Sequence, residues 1–399
     1  MTEAVIVATA RTPIGRMSKG SLKDVRPDDL SAAIITAVLD QVPALDRTEI
    51  EDVLWGCGQP GGESGHNIAR VAAVLAGLDD VPGATVNRYC SSSLMTIRMA
   101  AHAVVAGDGD VFVAGGVETA SRFPFGMADG PKNPVFADAE ARSTERAAGG
   151  APVWSAGAGL PDMYLAMGQT AENVAQLEDV SRQDQDEFAV RSQNLAEESL
   201  NSGFWEAEIT PVETPEGTVT ADDGIRPGTT YDKVSQLAPV FRPDGTVTAG
   251  NACPLNDGAA AVVVMSDTKA AALGLTPLAR IVASAATGLN PEIMGLGPVE
   301  AVKKALGRAG MTVDDIDLFE INEAFAAQVL PSQRQLGIPM EKPNTRGGSI
   351  ALGHPFGMTG ARIMTTLIHN LQESDATFGV ETMCVGGGQG MAMVVERLS

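Results

Sequence analysis

The sequence predicts a layered α/β fold made of two duplicated βα halves, with an inserted region in the first. Short, continuous apolar runs alternate with helical patterns, as expected of strands covered on both faces. The pattern restarts near residue 278, where ARIVASA stands beside the opening AVIVATA. Between about Phe123 and Val247 the character shifts to prolines, charges and loop material.

Taken in order, Ala4–Ala10 is the first strand, and Arg-Thr-Pro-Ile-Gly from Arg11 ends it. A helix is expected from Asp28 to Val42, capped by Asp28 or Asp29, with Leu30, Ile34, Ile35 and Val38 as its apolar stripe. Ile50–Trp55 is a second strand, followed by the loop Gly56–Gly65 and a helix from His66 to Leu78. Ala84–Asn87 is a third strand, Leu94–Ala106 a helix and Val111–Gly115 a fourth strand. The inserted region carries two helical stretches, Met167–Leu177 and Arg182–Ser199. Thr246–Met265 returns to core character, with Ala259–Met265 as a strand. In the second copy Leu278–Ala283 matches the opening strand, Pro298–Ala309 the first helix and Ile316–Asn322 the second strand. Asn344–His369 then parallels Asn87–Ala106, and GVETMCVGGGQG parallels FVAGGVETAS. Three units are expected: residues 1–122 with 248–270, the insertion 123–247, and residues 271–399.

Composition narrows the function. A net charge of −22 argues against nucleic acid or an anionic membrane as the main partner, while leaving room for a local basic cluster that meets a small anion. No apolar run approaches the roughly 18 residues of a membrane helix. The opening run, with Glu3 before it and Arg11 after, reads as a strand rather than a signal peptide, and the final Glu-Arg-Leu-Ser is not an evident targeting signal. The four cysteines, Cys57, Cys90, Cys253 and Cys384, are widely spaced, with no C-x-x-C pair or metal-type Cys/His cluster. The expectation is a cytoplasmic protein with no metal.

Four groups carry chemistry. His354 sits in RGGSIALGHPFGMTGAR, amid five glycines and ahead of Pro355, so a glycine loop aims an imidazole and then opens a helix. A packed turn with a merely satisfied histidine is the plainer alternative. Cys90, in NRYCSSS, ends a strand and begins a helix, whose free N–H groups and dipole favour thiolate. Its alternative is a small buried hydrophobe. Cys384 precedes Val-Gly-Gly-Gly-Gln-Gly, a turn that lets backbone approach a ligand and exposes N–H groups; a tight turn with an incidental thiol reads the same way. Asn322, in NEAFA, can donate an amide to an oxyanion or hold a water, or merely cap a strand end. Together a nucleophile, a base, a second thiol and a placed amide make a covalent acyl-transfer site.

The motifs NRYCSSS, NEAFA, GGSIALGHPFGMTGAR and CVGGGQG, with MGQTAENVA at Met167–Ala175 and TVTAGNACPLNDGAAA at Thr246–Ala261, resemble the signatures of the thiolases, acetyl-CoA C-acyltransferases. The resemblance runs the whole length, in order. It implies a five-layer αβαβα fold in which residues 123–247 cover coenzyme A, a co-substrate rather than a resident cofactor. It implies Cys90 as acyl-accepting nucleophile, His354 as its base, and Cys384 as the acid/base at the acetyl carbon. Asn322 would hold the water of one oxyanion hole with His354, and the backbone N–H groups of Cys90 and Gly386 would form the other. Substrate contacts are implied for Arg226, Met167, Ala249, Cys253 and Phe325, and a homodimer or homotetramer for the assembly. Ser91 and Ser93 stand where relatives often have glycine, Cys253 and Pro254 where serine and glycine are common, and Ala166 where acetoacetyl-CoA-specific members often have histidine. These departures favour a degradative 3-ketoacyl-CoA thiolase over a biosynthetic acetoacetyl-CoA thiolase.

Rival readings remain. A ketoacyl synthase would pair its cysteine with two histidines, or a histidine and an asparagine, yet His66, His102 and His369 lie in no such motif. A non-catalytic acyl-CoA or lipid-binding protein need not keep all three motif positions filled. A cysteine hydrolase would have little use for Cys384.

Overall fold

The computed structural model describes residues 2–123, 126–127 and 129–399. Met1, and Pro124, Phe125 and Ala128 within the predicted insertion, lie outside the described residues. The first half runs β1 (Ala4–Arg11), the short β2 (Gly15–Arg16), α1 (Pro27–Asp40), β3 (Asp52–Gly56), α2 (Ile68–Leu75), β4 (Gly83–Val86), α3 (Ser92–Ala106) and β5 (Val111–Thr119). There follow α4 (Ala137–Ala147), α5 (Met167–Leu177), α6 (Arg182–Asn201), the hairpin of β6 (Val212–Thr214) and β7 (Gly217–Val219), and α7 (Tyr231–Val234). Then β8 (Asn256–Ser266) rejoins the first sheet, and α8 (Asp267–Ala272) leads out of it. The second half is β9 (Ala279–Gly288), α9 (Gly297–Ala309), β10 (Leu318–Ile321), α10 (Ala326–Leu336), α11 (Ser349–Leu352), α12 (Thr359–Glu373), β11 (Phe378–Val385) and β12 (Gln389–Arg397).

The strand order is β10-β11-β12-β9-β1-β8-β5-β3-β4, with β2 on β8. The duplication is visible in it. In the first half β5 lies between antiparallel β8 and parallel β3, and in the second β11 lies between antiparallel β12 and parallel β10. The halves join where β1 meets β9, antiparallel, at Val5↔Arg280 and Ile6↔Ala279. The second-copy counterpart of β4 shrinks to a single bridge, Phe319↔Pro343.

Strand alternation sorts the side chains into separate cores. Ile6, Val262 and Val264 face a central cluster that also takes Leu94 and Ile97 of α3, Ile363 and Leu367 of α12, and Met391 and Met393 of β12. Val5, Val113 and Val263 face the other way, onto Leu30 and Ile34 of α1 and Ala69 and Ala72 of α2. In the second half Phe319, Ile321, Val380 and Val394 pack on Val299 and Val302 of α9 and Val329 of α10. The result is five layers: α1 and α2, the first half's part of the ten-stranded sheet, α3 and α12, the second half's part of that sheet, and α9 and α10. Scarce aromatics are offset by small side chains, with Ala259 to Met265 wholly buried.

Several boundaries differ from expectation. Asp28 and Asp29 do not cap α1: Arg26 holds the cap position and Pro27 starts the helix, leaving the two aspartates in its first turn. The helix stops at Asp40, not Val42. α2 starts at Ile68 rather than His66 because Asn67 takes a left-handed conformation, φ 53°. β5 continues to Thr119, past the expected end at Gly115, and α4 had no foreseen counterpart.

The two helices of the central layer touch through backbone. A Cβ added to Gly360 would lie 2.3 Å from the amide nitrogen of Leu94, and one on Gly357 would lie 2.0 Å from the carbonyl oxygen of Val117. Gly307, in α9, has open space instead. Gly360→Ala is therefore expected to destabilise the fold by about 1–3 kcal/mol through overpacking. Gly307→Ala is expected to be neutral or to stabilise it by up to about 1 kcal/mol from helix propensity. Urea unfolding of the two variants checks this, and a Gly360→Ala midpoint at or above the parent's would contradict it.

Candidate active site

Cys90 lies in a 3₁₀ turn, Tyr89–Ser91, immediately before α3. Tyr89 adopts φ 45°, a conformation a non-glycine residue holds only under constraint, and its N–H donates to Asn87 Oδ1 at 2.8 Å. Ser92 pins the turn further, accepting from the Arg88 N–H at 2.9 Å and donating to the Tyr89 carbonyl at 2.7 Å. Cys90 is buried, and burial pushes its thiol up to about 11. The backbone N–H groups of Gly386 and of Cys90 itself point at the sulfur and pull the other way, while the charge of Glu118 adds to the rise.

Gly386 belongs to the turn after β11, where Gly387 and Gly388 take φ 76° and 78°. A Cβ on Gly388 would meet the Leu289 carbonyl oxygen at 2.3 Å. The Gly386 peptide is steered from both strand ends: Arg88 donates to Gln389 Oε1 at 2.8 Å, and Gln389 Nε2 donates to the Gly386 carbonyl at 3.2 Å. Cys384 is fully buried beside this turn. Burial raises its thiol well above the ordinary range, and the nearby charges of Cys90 and Cys253 raise it further. Two of these thiolates cannot coexist cheaply in one dry site.

His354 is buried and burial holds its imidazole down to about 3, so the ring is neutral. Its hydrogen bonds assign the tautomer. The Thr359 hydroxyl donates to the Pro355 carbonyl at 2.8 Å, so it accepts from Nδ1–H of His354 at 2.7 Å. The bare nitrogen is Nε2, which faces the Asn322 side-chain nitrogen at 3.3 Å. The backbone of His354 is clamped as well: its N–H donates to Asn256 Oδ1 at 3.0 Å, and Asn256 Nδ2 donates to the Gly15 carbonyl at 2.9 Å. A Cβ on Gly353, φ 115°, would run into that Asn256 amide.

Glu118, buried on β5, ties the histidine loop to the first half. Its carboxyl accepts from Gly58 N–H at 2.9 Å, Gln59 N–H at 3.2 Å and Gly357 N–H at 3.0 Å. Burial pushes it up to about 7 against those donors. The sequence signal was a lone carboxylate in an otherwise apolar strand. Asn256, Thr359 and the Arg88–Gln389 pair were also not singled out, since their roles depend on partners far away in the chain.

The cavity of about 490 Å³ over Cys90 is lined by Gln59, Tyr89, Tyr164, Ala166, Met167, Phe356 and Gly386 among others. Of the sequence-predicted substrate contacts, Met167 lines it, and Met167, Cys253 and Phe325 pack in one cluster with Cys384. Ala249 and Arg226 are both exposed, and neither lines this cavity. The loop carrying Arg226 does press on the histidine loop: a Cβ on Gly224 would lie 2.2 Å from the Ala351 carbonyl oxygen. Ser91 and Ser93 are buried, and Ser93 Oγ accepts from the Ala361 N–H at 2.9 Å, joining α3 to α12. Among the described residues no group of three or more His, Cys, Asp or Glu gathers as for a metal ion, and no helix is long and apolar enough to cross a membrane.

The family model "Thiolase, N-terminal domain" matches residues 4–268, and "Thiolase, C-terminal domain" matches residues 275–397. The chain is 48% identical to a 3-ketoacyl-CoA thiolase of Aeromonas hydrophila subsp. hydrophila over the full length of both. It is 46% identical to a beta-ketoadipyl-CoA thiolase of Escherichia coli, again over the full length of both. Among solved structures, the Bacillus anthracis acetyl-CoA acetyltransferase superposes with a TM-score of 0.87 at 38% identity, covering 100% of this chain and 99% of that one.

The depressed imidazole has a consequence for stability. The unfolded chain takes up a proton at His354 below pH 6.5, whereas the folded chain refuses it until about pH 3. Stability present above pH 6.5 is thus lost as the pH falls. Between pH 7.5 and 5 this amounts to about 2 kcal/mol. Urea unfolding of the native chain and His354→Gln should show the native chain losing that much more over this range. Parallel losses would contradict the buried neutral imidazole.

Proposed function

The chain belongs to the thiolase family, and from that premise we propose that Cys90 carries the acyl group while Cys384 moves the proton at the acetyl carbon. The chain is an acyltransferase of the degradative thiolase type, cleaving 3-ketoacyl-CoA with CoA to release acetyl-CoA. The observation that carries the division of labour is the pair of buried thiols. One sits at a helix start against the cavity, and the other lies below a glycine turn whose Gly386 N–H points at the first sulfur.

In the resting site the thiols and the imidazole are all neutral. Cys90 gives its proton to Nε2 of His354 as the sulfur attacks the ketone carbonyl carbon of the substrate. The N–H groups of Cys90 and Gly386 then stabilise the tetrahedral oxyanion. Once protonated, Nε2–H becomes a donor beside the Asn322 N–H. Two donors then converge where the thioester oxygen of the departing acetyl-CoA enolate gathers charge. The C–C bond breaks, Cys384 gives its proton to the enolate carbon, and acetyl-CoA leaves. The proton on Nε2 then restores the Cys384 thiol, and CoA takes the acyl group from Cys90 by thioester exchange, its own thiol proton passing through His354 to the released Cys90 sulfur. Each step uses a group whose charged form is costly at rest, so charge develops only when substrate completes the site.

The apolar lining of the cavity, with Ala166 rather than a polar side chain, supports acyl groups longer or bulkier than acetoacetyl. Residues 123–247 serve in this reading as the cover over CoA, between a first unit of residues 1–122 with 248–270 and a second of 271–399. In this reading Arg226 meets the nucleotide, and Ala249 and Cys253 contact the substrate. We read the protein as cytoplasmic, a homodimer or homotetramer, with no resident cofactor.

Intact-mass measurement with short, medium, long and bulky 3-ketoacyl-CoA esters, without free CoA, tests this. Acetyl-CoA release with an acyl adduct that vanishes in Cys90→Ala is expected, with kcat/KM for medium-chain esters above that for acetoacetyl-CoA. CoA-ester binding without any adduct would instead indicate a binding protein, and a clear preference for acetoacetyl-CoA would overturn the degradative assignment.

A further inference from the structure

Beneath His354 lies a set of buried polar groups that the reaction does not use directly. Arg362, on α12, is 1% exposed in the central layer. Glu320 and Glu381 stand directly opposite each other on the parallel strands β10 and β11. Alternation turns them away from Phe319, Ile321 and Val380 and towards that same layer. Both are buried, at 2% and 0% exposure. The same two strands lead into Asn322 and carry Cys384.

From Arg362 a directed chain of hydrogen bonds reaches the imidazole. Arg362 Nη2 donates to Ser349 Oγ at 3.1 Å, Ser349 Oγ donates to Asn322 Oδ1 at 2.6 Å, and Asn322 Nδ2 faces His354 Nε2 at 3.3 Å. A side-chain amide has no intrinsic preference for which end it presents. A serine hydroxyl has none either, because it can give or take. A guanidinium can only give. With Arg362 donating, Ser349 hands its single proton to Asn322, and the amide must then turn its N–H towards Nε2. Reversed, the amide would set its oxygen against the bare Nε2 of the resting ring. It would then accept from the imidazolium when donors are needed for the thioester oxygen.

We propose that Arg362 is a positioning residue for the reaction, acting through Ser349 to fix the direction of the Asn322 amide at His354, with Glu320 and Glu381 buried beside it. Burial works against the guanidinium's charge, and Glu320 is the largest factor opposing it; burial in turn pushes Glu320 up to about 8 and Glu381 well above the ordinary carboxyl range, and Arg362 draws both back down. Among the described residues, Arg362 Nε and Nη1 and both Glu381 oxygens have no partner within hydrogen-bonding distance. Among the described residues, the one side-chain hydrogen bond of Arg362 is the one to Ser349.

This inference rests on the proposed roles of His354 and Asn322, and its test separates the two. Steady-state thiolysis is measured for the native chain, Ser349→Ala, Ser349→Thr, Arg362→Lys and the Ser349→Ala/Arg362→Lys double variant, with thermal unfolding alongside. Ser349→Ala is expected to lower kcat by threefold to thirtyfold, with KM for the 3-ketoacyl ester within twofold and the melting temperature within a few degrees of native. Ser349→Thr, which keeps the hydroxyl, should recover most of the loss. Arg362→Lys should add little to Ser349→Ala in the double variant, because both act through one path. Should Arg362→Lys fail to fold, the alanine–threonine pair decides alone. A Ser349→Ala kcat within twofold of native, no recovery by threonine, or losses that multiply in the double variant would overturn the proposal. An inactive native chain would sink the underlying assignment of His354 and Asn322 instead.

Discussion

Everything at the site depends on bare backbone contact between the two halves. The histidine loop belongs to the second copy and the nucleophile to the first. They can share a site only if the loop from Gly353 to Gly360 lies directly on β5 and the start of α3. Gly357 sits against the Val117 carbonyl, Gly116 against the Gly357 carbonyl and Gly360 against the Leu94 amide, each too close for a Cβ. Glu118 then locks the contact by accepting N–H groups from both sides. The price is a buried carboxyl held near pH 7. The glycines are thus spacing elements, and they set where an imidazole stands relative to a thiol on another copy of the same fold.

That placement keeps the site dry, and dryness governs its electrostatics. Desolvation raises both reactive thiols and lowers the imidazole, so the resting site carries no charge on these three groups. Fixed N–H groups are already aimed at the Cys90 sulfur and, by the amide of Asn322, at Nε2. They need no reorganisation when charge appears, which is where preorganised dipoles are most effective. Arg362, Glu320 and Glu381 lie one layer down. There they can orient the site without serving as its acid or base.

Much of this was legible in the sequence because it is written locally. Alternating apolar runs gave the strands, and the repeat of AVIVATA as ARIVASA gave the two halves. Cys90, His354 and Cys384 each stand in a motif with glycine or a helix start next to it. What was not legible depends on distant partners. Glu118 matters because of Gly58 and Gly357, Thr359 because it leaves Nδ1 no choice, and Ser349 because of Arg362 thirteen residues on. The cap of α1 was misjudged for a local reason: Pro27 pre-empts the first helical position, so the following aspartates fall inside the helix. Ala249 and Arg226 were carried over by resemblance alone, and no cavity contact places them beside Cys90.

The central claim is that two thiols divide the labour, one holding the acyl group and the other moving a proton at carbon. Acetyl transfer from acetyl-CoA to Cys90 is thioester exchange and needs no carbon acid, whereas cleavage of a 3-ketoacyl ester does. The most direct test follows both reactions in Cys384→Ala, by mass, at matched times. Acetyl-enzyme formation from acetyl-CoA should stay within a few-fold of native, while acylation from 3-ketoacyl-CoA should fall by about 10²-fold or more, the scale of a lost general acid. Equal losses in both reactions, or none in either, would contradict the division.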